Sequence, residues 1–154
     1  MPRIPLSILI ISLTIAGCDF APTPSNVKVS KQPADGLTQN SFSRSFLQQL
    51  VDEVTEGAEL SLNQAYDRNN IPAVERISKP QAVGRYEWIG ERQLAVIDLS
   101  YTNNPMRVMR VVGIEADQMI TINCISPAGA PLKLTAPEDA CSEVIAEQFN
   151  LLTR

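Results

Sequence analysis

The clearest pattern in the chain begins at residue 42. Phe42, Phe46, Leu47, Leu50, Val51, Val54 and Ala58 recur at helical spacing, while Arg44, Gln48, Asp52, Glu53, Glu56 and Glu59 fill the other side. Apolar positions three and four apart fall on one stripe of an α-helix. An amphipathic helix over residues 42–58 is therefore expected, capped near Asn40 or Ser41. Its stripe reads as core, and its acidic residues Asp52, Glu53 and Glu56 as a solvated face. From Gln81 to Ser126 the period changes to two. Stretches at roughly 81–89, 92–102, 106–115 and 118–126 read as strands joined by short turns. Residues 60–80 carry Asn69-Asn70, Pro72 and Pro80 and little period, with a short strand expected near Ala73 to Ile77.

Parity tests how the strands pair, because a slip of one residue moves every side chain to the other face. A two-residue turn at Gly90-Glu91 puts Tyr86 and Trp88 on the face of Ala95, Ile97, Leu99 and Tyr101. A two-residue turn at Asn103-Asn104 adds Met106, Val108, Val112 and Ile114 to it. A two-residue turn at 116–117 sends Ile120, Ile122 and Cys124 to the opposite face. A single apolar face therefore calls for a bulged or three-residue turn, Glu115 to Asp117. The opposite face carries Val83, Leu94, Val96, Met109 and Val111, so partial cover there is also in view.

The chain closes on a second helix. Thr135-Ala136-Pro137-Glu138 resembles a capping box with proline in the first turn, and Cys141, Val144, Ile145, Gln148, Phe149 and Leu152 form one stripe. The expected fold class is α+β: a four-stranded antiparallel meander packed by an N-terminal and a C-terminal helix. Ahead of it, residues 19–40 hold three prolines and many small polar residues with no apolar period, which reads as a flexible tether. The domain proper is expected over residues 41–154.

Composition changes this picture in two places. The 154 residues are 44% apolar and 19% charged, enough for one domain with a core. A net charge of −4 points away from nucleic acid as a main partner, because phosphate-binding surfaces need a basic excess. Histidine is absent, which removes Ser–His–Asp and Cys–His catalysis and any His-ligated metal. No metal or dissociable cofactor is expected from the motifs.

The first segment, MPRIPLSILIISLTIAG, has Arg3 as its one charge and an apolar run from Ile4 to Ala16. That run is shorter than the roughly 20 residues a spanning helix needs. A positive start, a short apolar stretch and small residues at its end read as a cleaved signal peptide over residues 1–17. The stretch Ile15-Ala16-Gly17-Cys18 resembles the lipobox of bacterial lipoproteins. The resemblance covers the first 18 residues and concerns address, not activity. It implies a diacylglycerol on the Cys18 thiol, cleavage just before Cys18 and acylation of the new N-terminus. Two or three acyl chains hold a protein at a lipid membrane where one does so marginally. Residues 18–40 then become a lipidated N-terminus and tether. Asp19 resembles the inner-membrane retention signal of enterobacterial-type lipoproteins. The implied location is the extracytoplasmic side of the cell envelope, with the inner membrane preferred over the outer.

Lipid on Cys18 leaves Cys124 and Cys141 as an even pair. Both fall on the interface between the last helix and the sheet, and an oxidising compartment favours their disulfide. Arg110 interrupts the apolar face; it either holds an anion or carboxylate or snorkels near an edge. Tyr86, Trp88 and Tyr101 are either core or a recognition surface.

Three functions are compatible with this reading. The first is a non-enzymatic interaction or assembly module with an envelope protein partner, which would add a strand to an exposed sheet edge. The second is a carrier of a lipid or small apolar ligand, which needs a cavity. The third is a carboxylate-based cell-wall enzyme, for which Glu87, Glu91, Asp98, Glu115 and Asp117 are the candidates.

Overall fold

The computed structural model describes residues 26–127, 129–136 and 139–151. The signal peptide, Cys18, Asp19, Leu152 and the Pro137-Glu138 half of the capping box lie outside them. The element order is β1 (Val27–Pro33), α1 (Arg44–Arg68), a 3₁₀ turn (Ala73–Glu75), β2 (Pro80–Ile89), β3 (Arg92–Tyr101), β4 (Asn104–Glu115), β5 (Gln118–Ser126) and α2 (Ala140–Gln148). The class is α+β, with one antiparallel sheet of five strands in the order β1-β5-β4-β3-β2.

The fifth strand corrects the sequence reading. Val27–Pro33, inside the expected tether, pairs with β5 from Val27↔Cys124 to Pro33↔Gln118. The chain after it is also held: Ala34 and Phe42 are buried, and Gln93 N donates to Gln39 O at 2.8 Å. Only Val27 and Val29 of this strand meet the core, so two apolar positions carry all of its period-two signal. The 3₁₀ turn stands where a short strand was expected.

The β2–β3 register is the one parity required, with Ile89↔Arg92 flanking Gly90-Glu91 and Gly90 at φ 64°. The β3–β4 register is also as expected, from Ser100↔Arg107 to Ala95↔Val112. Its turn differs: Tyr101 pairs with Asn104 across Thr102-Asn103, and a shift between Ser100 and Tyr101 restores the register.

The third turn overturns the single-face expectation. Glu115 pairs with Gln118 across the two-residue turn Ala116-Asp117, with Ala116 at φ 55°. Ile120, Ile122 and Cys124 therefore share a face with Gly113, Val111 and Met109. No bulge is needed, because both faces of the sheet are apolar and both are covered. We call the face of Ala95, Ile97 and Val112 face A; with Leu50, Val54 and Ala58 of α1 it forms one core cluster. Face B joins Leu94, Val96, Met109, Val111, Ile120 and Ile122 to Cys141, Ile145 and Phe149. The result is three layers: α1, sheet, α2 with its approach loop.

Two glycines mark where the layers close. A β-carbon on Gly84 would press on Val51 and Leu47 of α1, and one on Gly113 would press on Leu94 and Phe149. Absent side chains there let backbone and helix approach.

Helix α1 begins at the cap Ser43, whose hydroxyl accepts from Phe46 N at 3.1 Å, two residues beyond the expected Ser41. It runs ten residues past the expected end at Ala58, to Arg68. Helix α2 starts at Asp139, whose side chain accepts from Cys141 N at 2.8 Å. Among the described residues no helix is long and apolar enough to cross a membrane.

Candidate functional site

Face A is incompletely covered, and Arg110 stands where the cover ends. Strand β4 presents Arg110 opposite Ile97 of β3 and Asn123 of β5. Its Nε donates to Asn123 Oδ1 at 2.8 Å. Among the described residues it makes no ion pair. Loss of water pulls the guanidinium below its ordinary range, and the charge of Glu53 on α1 partly offsets this. A cleft of about 280 Å³ lies between α1 and the sheet at this point. Val54, Ala58, Ile97, Leu99 and Val108 form its apolar wall, and Glu53, Ser61, Arg110 and Asn123 supply its polar groups. Gly57 opens on it too, and a β-carbon there would touch nothing.

The aromatic candidates separate. Tyr86 is part of the face A core, stacked on Phe42 with ring centroids 5.9 Å apart. Its hydroxyl donates to Ser43 O at the start of α1. Tyr101 packs into the same cluster and lines the Arg110 cleft. Burial raises both phenols above their ordinary range. Trp88 remains 56% exposed near the end of β2. The residues singled out on face A thus divide into a core tyrosine, a cleft arginine and a surface tryptophan.

Among the described residues strand β2 is an edge, paired with β3 alone. It is ten residues long, and Val83 on face B is 67% exposed while Trp88 projects from face A. Natural edges are blunted by proline and charge. Here Pro80 opens the strand, and Arg85 bonds Glu87 at 2.6 Å and also Asp98. Burial lowers the Arg85 guanidinium pKa, but these two carboxylates outweigh it and leave it raised. Sequence reading missed Arg85 and Val83 as edge residues, because nothing in the chain said which strand was outermost.

The carboxylate candidates do not converge on a pocket. Glu87 and Asp98 are bridged by Arg85, and Glu115 is bound by Arg92. Glu91 and Asp117 sit in the two-residue turns. Three clefts along the sheet and α1 are each lined by a single carboxylate, Glu53, Asp98 or Glu59, the Asp98 cleft lying against Pro131 and Leu132. Among the described residues no group of three acidic or cysteine side chains is placed to hold a metal.

The structure joins Cys124 on β5 to Cys141 at the start of α2, with Cα atoms 5.8 Å apart. Both are buried in the face B cluster between the sheet and α2, whereas the sequence reading set Cys124 on the face of Tyr86 and Val112. No protein-family model, no curated protein and no solved structure matches this chain.

Proposed function

We propose that this protein is a lipid-anchored envelope lipoprotein, attached through Cys18, whose domain is a non-enzymatic interaction module. The observation that carries the reading is the outer edge of β2. Alternate residues of β2, from Pro80 to Trp88, turn their backbone groups outward, and no strand among the described residues takes them; exposed Val83 and Trp88 flank them. An extended segment of an envelope protein would pair its backbone with β2 and set an apolar side chain on each face, against Val83 and Trp88. The Cys124–Cys141 disulfide agrees with an oxidising compartment on the outer side of the inner membrane. The carboxylate-enzyme alternative draws no support from side chains already bound to arginine.

The test places a photo-crosslinking amino acid in the native cell at Gln81 or Val83, and at Glu56 on the exposed side of α1 as the reference. One discrete adduct from the β2 positions, absent at Glu56 and lost in Ala82→Pro, which removes an outward N–H, is the expected result. No adduct, or the same adducts from Glu56, overturns the reading. Intact mass of the membrane-extracted chain reads the acyl groups on Cys18, and an unmodified cysteine there removes the anchor.

A further inference from the structure

The Arg110 cleft has a chemistry that the edge of β2 does not use. A guanidinium is normally paired when it leaves water, because an uncompensated buried charge is costly. Arg110 is half-buried, yet Asn123 takes only its Nε, and no carboxylate among the described residues completes a pair. Among the described residues no fully buried side-chain nitrogen lacks a partner, so the other donors of Arg110 keep access to solvent, and Arg110 lines the open cleft. Those donors form a planar fork that matches a carboxylate. Beside them lies an apolar wall, and the volume, about 280 Å³, sits at the small end of ligand sites.

We propose that this cleft binds a small amphiphilic monocarboxylate. Its carboxylate sits on the Arg110 fork, and its apolar body lies along Val54, Ala58, Leu99 and Val108. The charges around the guanidinium select one negative charge rather than two. Glu53 lines the same cleft and repels a dianion, while Lys28 stands one strand beyond Asn123 and is exposed to solvent. Strand spacing puts the Lys28 backbone about 10 Å from that of Arg110, and Lys28 is not among the residues that line the cleft. Gly57 and Ala58 keep the helix side of the cleft open, since neither projects more than a methyl group.

The inference is independent of any partner at β2. Its test is calorimetric titration of the protein as isolated from cells, against the same buffer or lipid alone, with hexanoate as probe. Hexanol supplies the apolar body without charge, and hexyl phosphate supplies a second negative charge. Saturable hexanoate binding at least about tenfold tighter than hexanol is expected, the worth of charge-assisted hydrogen bonds. Arg110→Met should remove that preference, and Glu53→Gln should tighten hexanoate about threefold by lifting a nearby like charge. Equal binding of hexanol reduces the site to a greasy cleft and overturns the proposal. Tighter hexyl phosphate overturns the choice of a monocarboxylate. Absence of saturable hexanoate binding up to about 10 mM also overturns it. Glu53 is exposed on α1, so its variant keeps the question decidable even if Arg110→Met does not fold.

Discussion

The two faces of the sheet are covered in opposite ways. Face A is covered by a helix of 25 residues, and face B by one of nine. A helix of α1's length, with a serine cap and the i,i+4 pair Gln48–Asp52, carries much of its own stability. A nine-residue helix is below the roughly 12–15 residues that persist alone, so α2 depends on what it touches. What it packs on is fully buried: Leu94, Met109 and Ile122 of the sheet have no exposed surface, nor do its own Ile145 and the Phe149 that caps it. The α1 residues of face A keep 7% each at Leu50, Val54 and Ala58, and a cleft remains beside them. Face B is cross-linked where α2 sits, and its own cleft, beside Val83, Asp98 and Arg107, is lined by no residue of that helix. Face A rests on the longer helix and keeps a cleft directly against it. The short element is stapled to the sheet, and the long one leaves a gap beside Arg110.

The largest test of this contrast is truncation on each side. Phe149→Ala is expected to cost about 3–5 kcal/mol, and Leu50→Ala less, about 2–3 kcal/mol, by chemical denaturation. Equal costs would mean that face A is packed as tightly as face B.

Removing the cross-link comes next. Replacing Cys124 and Cys141 together by alanine should cost about 3 kcal/mol for a loop of this size. Hydrogen exchange should show α2 losing protection before α1. Uniform loss across both helices would break the asymmetry. The close approaches are smaller: Gly84→Ala and Gly113→Ala should each cost about 1–3 kcal/mol through overpacking. Gly113 should be the worse of the two, because its neighbour is the fixed ring of Phe149 rather than the branched tips of Val51 and Leu47.

Gly57→Ala has the opposite sign. It lies inside α1 with open space around its α-carbon, so a methyl should stabilise by about 1 kcal/mol, seen as a higher Tm. The smallest effect is alkaline. Burial raises Tyr86 and Tyr101, both on face A, above the ordinary value of 10.0. A raised phenol pKa means the folded state holds the proton longer than the unfolded one. Their contribution is complete below pH 10.0 and is lost as pH rises through the folded values. Face A should therefore loosen before face B in alkali, followed by near-ultraviolet circular dichroism.

Much of the sheet was legible in the sequence because alternation is a hard constraint. The β2–β3 and β3–β4 registers followed from keeping Tyr86, Ala95, Val108 and Val112 on one side. The β4–β5 turn was misread for a physical reason. Assuming one buried face made Ile120, Ile122 and Cys124 look displaced, whereas a sheet covered on both faces shows apolar residues at both parities. Strand β1 was lost among prolines because Val27 and Val29 alone carry its pattern. The extension of α1 past Ala58 was lost because its last ten residues hardly meet the core. That the last strand and the last helix would bring Cys124 and Cys141 together was legible, but the face was not, because Cys124 shares the misread parity of Ile120 and Ile122. Arg110 was legible as an interruption, but its cleft depends on where α1 stops covering β4, which no periodicity records.

Strand β1 has a consequence for how far the domain can move. If Cys18 carries the proposed lipid, the stretch between anchor and fold would be residues 19–25 rather than 19–40, since Asn26 O accepts from Ile125 N and pairing with β5 begins at Val27. Such a leash spans about 30 Å at full stretch, against roughly 75 Å for the longer one. On that proposal the domain would be confined to a thin layer above the lipid heads, and a partner would have to enter that layer. Its working height would then be set by a backbone ladder between the first strand and the last.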